Sequence, residues 1–124
     1  DRHVIGDRVE SVLKAHKVDA LWLIPDQTVI SESIVRYIIK TALLHQVPVV
    51  GYNRFFYESG ATMAFVFDYH NLGRQTGRLA LSQLKDGSCP DPVPEFSVWI
   101  NSTLFNTIQI PMNFPETSDF VVDP

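Results

Sequence analysis

Three short polar stretches carry the side chains best suited to hold a small molecule: "PDQT" at 25–28, "GYNR" at 51–54 and "DYHN" at 68–71. Each follows an apolar run. Asp26 and Asp68 can take an ammonium, Asn53 and Thr28 can supply neutral hydrogen bonds, and Tyr52 or Tyr69 can wall or stack on an apolar body. Each residue also has a local alternative. Asp68 stands where a helix N-cap belongs, Asp26 follows Pro25 and suits a turn, and Asn53 after Gly51 tolerates a left-handed backbone. Gly73 and Gly77, four apart in "LGRQTGR", suit close packing of a helix, since no glycine-rich phosphate loop follows any strand.

Catalytic constellations are thin. The histidines His3, His16, His45 and His70 are scattered, and none pairs with a carboxylate at metal-ligand spacing. No serine sits in the small-residue frame of a nucleophile elbow. No catalytic residue, metal or cofactor is therefore predicted. Cys89 is the only cysteine, which rules out an internal disulfide. A net charge of −4 and a pI near 5.4 argue against a phosphate-backbone partner, so nucleic acid is not expected. No apolar run reaches the roughly 18 residues that a membrane span needs.

The elements that must position these loops follow from periodicity. With 45% hydrophobic and 19% charged residues, the 124-residue chain belongs to the globular class and fits one domain. It opens at Asp1 without an initiator methionine, as expected of a piece of a longer protein. Val9, Val12 and Leu13 fall at helical spacing, with Asp7 placed to cap. "ALWLI" (20–24) is apolar on both faces, as a buried parallel strand requires. Ser31 suits the cap of a helix whose stripe is Ile34, Val35, Ile38, Ile39 and Ala42, with Leu43 at its margin. "VPVVG" (47–51) and "TMAFVF" (62–67) read as strands separated by a turn-rich segment. A further helix begins near Tyr69 or Asn71, presents Leu72, Thr76, Leu79, Ala80 and Leu84 inward, and stops at Gly87. After the proline-rich connector 88–95, "FSVWI" (96–100) suits an edge or crossing strand, and 101–110 a short helix capped by Asn101 or Ser102. The acidic, proline-bearing tail 111–124 is expected to be poorly ordered or wrapped on the surface. Alternation at this spacing predicts an α/β fold, a parallel sheet flanked by helices and built from right-handed crossovers. Ligands of such sheets bind beyond the carboxyl ends of the strands, where the three polar loops converge.

The stretches "VDALWLIPDQTVIS" (18–31), "VPVVGYNRFFYESGA" (47–61), "DYHNLGRQTGRLALSQLKDG" (68–87) and "EFSVWINSTLFNTIQI" (95–110) come in one order. In that order they resemble the carboxyl-terminal half of ABC-transporter substrate-binding proteins of the tryptophan/tyrosine-receptor-like kind, with a type I periplasmic-binding-protein fold. The resemblance covers about residues 5–110. It implies that 1–110 form the carboxyl-terminal lobe of a two-lobed solute-binding protein whose first lobe is missing here. The helix at about 70–85 would be the hinge-crossing element. A ligand-facing role passes to Asp26, Thr28, Tyr52 and Asn53, with Asp68 on the hinge side, while Gly73 and Gly77 stay structural. The bulky "YNRFFYE" loop departs from the simplest pattern, since Arg54, Phe55 and Phe56 can fill part of the cleft.

The resemblance implies a non-enzymatic, periplasmic or otherwise extracytoplasmic solute-binding component, free or lipid-anchored. It would bind a small polar ligand, an amino acid by preference, and hand it to ABC permease subunits. The alternative is a ligand-sensing domain of a membrane-bound signalling protein. A small α/β enzyme or a flavodoxin-like domain ranks below both, for want of a phosphate loop. A lone lobe shares its ligand contacts with an absent partner, and losing ~3 kcal/mol of them weakens binding more than about 100-fold. The stripe on the 70–85 helix, left uncovered, predicts that the isolated chain forms a homodimer by exchanging that helix or folds it back on its own sheet.

Overall fold

The structure, a computed structural model, describes residues 2–15, 18–27, 31–90, 93–115 and 119–124. In chain order the elements are α1 (Arg2–Ala15), β1 (Leu21–Trp22), α2 (Glu32–Leu44), β2 (Val49–Gly51), α3 (Arg54–Glu58), β3 (Met63–Phe67), α4 (Tyr69–Asp86), β4 (Phe96–Ile100), α5 (Ser102–Thr107) and β5 (Phe120–Val122). The strands lie side by side in that same order. β1, β2 and β3 are mutually parallel, β4 runs antiparallel to β3, and β5 is parallel to β4. This is the expected α/β sheet, mostly parallel and flanked by helices.

Successive strand residues point to opposite faces, and bridge partners share a face. Register therefore puts Leu21, Val49, Gly51, Ala64 and Trp99 on one face, and Trp22, Val50, Met63, Ile100 and Val122 on the other. The first face carries the larger core. There Val35, Ile38, Ile39 and Ala42 of α2, Leu13 of α1 and Phe56 of α3 close over Val49. Burying one such Val, Leu or Ile contributes about 1.5–3 kcal/mol, so the stripe on α2 is what holds that helix. The second core lies on the other face, where Phe105 packs with Val98 and Ile100, joined by Met63, Phe65, Phe114 and Phe120.

Several expectations are corrected. The 20–24 run is buried on one face only. Leu23 is 7% exposed, whereas Trp22 and Ile24 are 64% and 57% exposed, because β1 is an edge strand whose second face carries no helix among the described residues. Segment 96–100 is no edge strand; it lies between β3 and β5. The tail does not merely wrap the surface, because Phe120–Val122 pairs with Val98–Ile100 as the outermost strand. Asp7 sits inside α1 and not at its start. Ser31 occupies the N-cap of α2, but its hydroxyl meets Ser33 Oγ at 2.9 Å and caps no amide. The segment read as turns forms α3, whose N-cap is Asn53. The other caps are as expected: Asn101 accepts from Leu104 N at 2.9 Å, and Gly87 ends α4 in the left-handed region at φ 72°.

The largest correction concerns α4. Phe67, the last residue of β3, pairs with Phe96, the first of β4, so the chain leaves and re-enters the sheet at one end. Residues 68–95 are thus an excursion off that end and not a crossover over a face. None of the 18 residues of α4 is buried, and Leu84 is 83% exposed. The helix leans on its own connector, where Gln75 Nε2 donates to Val93 O at 3.1 Å, instead of folding onto the sheet. A Cβ at Gly73 or Gly77 would meet nothing within 4 Å among the described residues. No helix of the described residues is long and apolar enough to cross a membrane.

Thr62, fully buried, ties β2 to β3 just before their ladder begins. Its hydroxyl donates to Val49 O at 2.7 Å and accepts from Val49 N at 2.8 Å. Thr62→Val keeps the shape but strands two buried backbone groups, at about 1–3 kcal/mol each. Urea denaturation of this variant is expected to show a loss of about 2–4 kcal/mol, and of less than 1 kcal/mol if those groups find other partners.

Candidate functional site

The carboxyl ends of β2 and β3, together with α3, the start of α4 and the outward-facing residues of β4, enclose a cleft of about 450 Å³. Its walls are largely apolar and aromatic: Phe55, Val66, Phe67, Tyr69 and Trp99. Four polar side chains reach it, from Asn53, Arg54, Asp68 and Ser97. An apolar concavity with a few polar groups is the usual form of a small-molecule site.

Glycine makes this geometry. α3 lies against the sheet because Gly51 and Ala64 leave room for Phe56; a Cβ on Gly51 would stand 2.2 Å from Phe56 Cβ. That close seat brings the start of α3 beside Trp99, the bridge partner of Ala64. Tyr57 meets the Trp99 ring edge-on at 5.4 Å and its hydroxyl donates to Ile100 O at 3.4 Å. Burial, and secondarily the charge of Asp123, push the Tyr57 phenol above its ordinary pKa, so it remains a donor at neutral pH.

Of the five residues singled out by sequence, the structure brings two into this cleft, Asn53 and Asp68. Both also serve as caps. Asn53 Oδ1 accepts from Phe56 N at 3.3 Å, and Asp68 Oδ1 accepts from His70 N at 3.0 Å and Asn71 N at 3.1 Å. The cap and the cleft are not exclusive, because each side chain keeps its second polar atom. Tyr52 packs inward, 4.5 Å from the Phe56 ring, and does not line the cleft. Asp26 is exposed in the loop after β1 and is likewise absent from the lining. Thr28 lies outside the described residues.

Sequence reasoning missed Trp99 and Ser97. The signal was the alternation in "FSVWI": Val98 and Ile100 are buried, so Ser97 and Trp99 must face the other way. Arg54 Nε donates to Glu58 Oε1 at 2.7 Å, and its guanidinium lies 5.6 Å from the centre of the Trp99 ring. Glu58 offsets the Arg54 charge. A contiguous second hollow of about 410 Å³ shares Asp68 and Ser97 and adds Glu95 and Asp119, which leaves the rim anionic. Among the described residues, no group of three or more His, Cys, Asp or Glu side chains could hold a metal ion.

A sequence-family model described as ABC transporter substrate binding protein matches residues 7–113. No curated protein sequence matches the chain. Several solved structures share its fold. A conserved domain protein from Vibrio cholerae O1 biovar eltor superposes with a TM-score of 0.64 at 20% identity, over 98% of this chain and 41% of that one. A ligand-free, open substrate binding protein with adhesive properties from Clostridium difficile gives a TM-score of 0.70 at 20% identity, with 98% and 41% covered. An ABC domain in complex with L-Trp from Streptococcus pneumonia gives 0.60 at 21% identity, with 91% and 39% covered. The chain therefore spans about two fifths of the length of the structures it matches.

Gly51→Ala tests the seat of α3. Overpacking of this kind costs about 1–3 kcal/mol, so thermal unfolding is expected at a lower temperature, with weaker near-ultraviolet circular dichroism from the Tyr57–Trp99 pair. A variant as stable as the parent would show that α3 is not held by this approach.

Proposed function

Because the chain belongs to the ABC transporter substrate binding protein family, we propose that it forms one lobe of an extracytoplasmic solute-binding protein that delivers a small molecule to ABC permease subunits. The cleft beside Trp99 is this lobe's half of the ligand site, and the missing first lobe supplies the other half. Closure of the two lobes then couples affinity to shape, since each contributes part of the contact set. The observation that carries this reading is the excursion 68–95. An 18-residue helix with none of its residues buried extends from the rim of the cleft, where a second lobe would meet it. The coverage of about two fifths of each solved neighbour agrees with a single lobe.

The ligand we infer is an amino acid with a flat or bulky apolar side chain. Phe55, Phe67, Tyr69 and Trp99 offer an apolar seat, and the carboxylates of Asp68, Glu95 and Asp119 favour an ammonium at the rim. The L-Trp complex of the structural neighbour points the same way. The role we infer is binding without catalysis, in keeping with the family whose model the chain matches.

A thermal-shift screen of the full-length protein against amino acids, sugars, peptides and purines tests this. Aromatic amino acids are expected to stabilise it, by about 2.7 kcal/mol at one hundred times Kd. Asp68→Asn keeps the capping oxygen and removes the charge. It should leave the unliganded melting temperature within about a degree while weakening amino-acid binding about tenfold or more, the scale of a charge-assisted hydrogen bond. Stabilisation by sugars or purines alone would contradict the reading.

A further inference from the structure

We propose that Arg54 is a displaceable cover on Trp99 and that the exchange of its guanidinium for a ligand ring sets the specificity of the cleft. The inference rests on the amino-acid-binding reading above and adds to it the residue pair that selects the side chain.

Trp99 is held from beneath and beside. Its neighbours Val98 and Ile100 are buried in the second core, and the Tyr57 ring stands nearly perpendicular to it, at 85°. The indole is therefore a fixed platform facing the cleft. What lies over it is not fixed in the same way. The Arg54 side chain is 67% exposed, and its ion-pair partner among the described residues, Glu58, is 55% exposed. Both sit on α3 four residues apart, so their pairing needs no other part of the protein. A solvent-exposed pair of this kind contributes little, and an exposed guanidinium on an indole face adds only a weak attraction. The guanidinium thus occupies the best stacking surface in the cleft through contacts that are cheap to break.

A flat ring takes the place of the flat guanidinium on Trp99, whereas an aliphatic chain, which cannot recover the lost stacking, binds beside the cover and leaves it in place. In the empty cleft the cover also keeps the indole from presenting a bare apolar face to water. Glu58 retains Arg54 after displacement, since their hydrogen bond does not involve the indole. The two residues accordingly act in opposite senses on one ratio, that of aromatic to aliphatic amino-acid affinity.

The test measures that ratio by calorimetry on the full-length protein, with L-phenylalanine and L-leucine as probes. Arg54→Ala is expected to raise the phenylalanine-to-leucine affinity ratio about two- to fivefold, the worth of the contact that phenylalanine no longer has to displace. Trp99→Leu is expected to lower the ratio about tenfold, and Trp99→Phe, which keeps a ring, to restore most of it. Opposite movements from two adjacent side chains are not produced by simple loss of packing. If Arg54→Ala weakens both ligands equally, Arg54 binds the carboxylate they share and the proposal is overturned. It is equally overturned if Trp99→Leu, folded by circular dichroism, leaves the ratio unchanged. Binding of neither probe, nor of any other amino acid, to the parent protein would overturn the reading beneath it and this proposal with it, a result distinct from binding with an unmoved ratio.

Discussion

The hydroxyl of Thr62 donates to the carbonyl of Val49 and accepts from its amide, while the Thr62 carbonyl accepts from Asn101 N at 2.9 Å. One fully buried residue thereby joins β2, β3 and the end of β4 at a level where β2 has only three residues of its own. Backbone groups left unpaired in that apolar setting would cost more than the hydrogen bonds return. The consequences run outward from this junction. Fixing β2 against β3 places Gly51 beside Ala64, and those two small residues let Phe56 descend onto the sheet. The descent of Phe56 sets α3, and α3 sets the wall of the cleft opposite Trp99.

The excursion 68–95 depends on the same frame. Five bridge pairs from Met63↔Ile100 to Phe67↔Phe96 lock β4 antiparallel to β3, so the helix between them begins and its connector ends at one rim of the sheet. Asp68 turns the chain there by accepting two amides of the first turn of α4. The helix retains an apolar side in Leu72 and Leu79, which with Pro90 and Pro94 of the connector lines a shallow hollow of about 430 Å³. The rest is open, Leu81 and Leu84 included. A helix that no sheet face covers draws its stability from its caps and connector, and is the part of this fold most free to be positioned by another body.

Most of the fold was legible because burial imposes period on sequence. The 3.6-residue stripe Val35, Ile38, Ile39, Ala42 gave α2, and continuous apolar runs gave β2 and β3. Asn101 and Gly87 marked helix ends through ordinary capping chemistry. What escaped had non-local causes. That 96–100 is interior follows from a strand contributed by the tail more than twenty residues later, which no local pattern announces. The open face of Trp22 reflects its place at the sheet edge, not its own sequence. α3 was hidden because a five-residue helix shows too little periodicity, although "NRFF" placed a capping Asn at its head. Asn53 and Asp68, both in the lining of the cleft, are legible because strand-to-helix loops concentrate polar groups, whereas Asp26 and Tyr52 fit the same rule and lie outside that lining. Trp99 does not stand out because the alternation of "FSVWI" marks a strand without showing which of its faces looks onto a cleft.

Hydrogen exchange of the full-length protein with and without L-phenylalanine tests most directly that this cleft is the binding face. The amides of 53–56, 66–71 and 97–99 should gain protection together, with those of α1 and α2 unchanged. Protection confined to α5 and the second core, or binding without any change around Trp99, would contradict it.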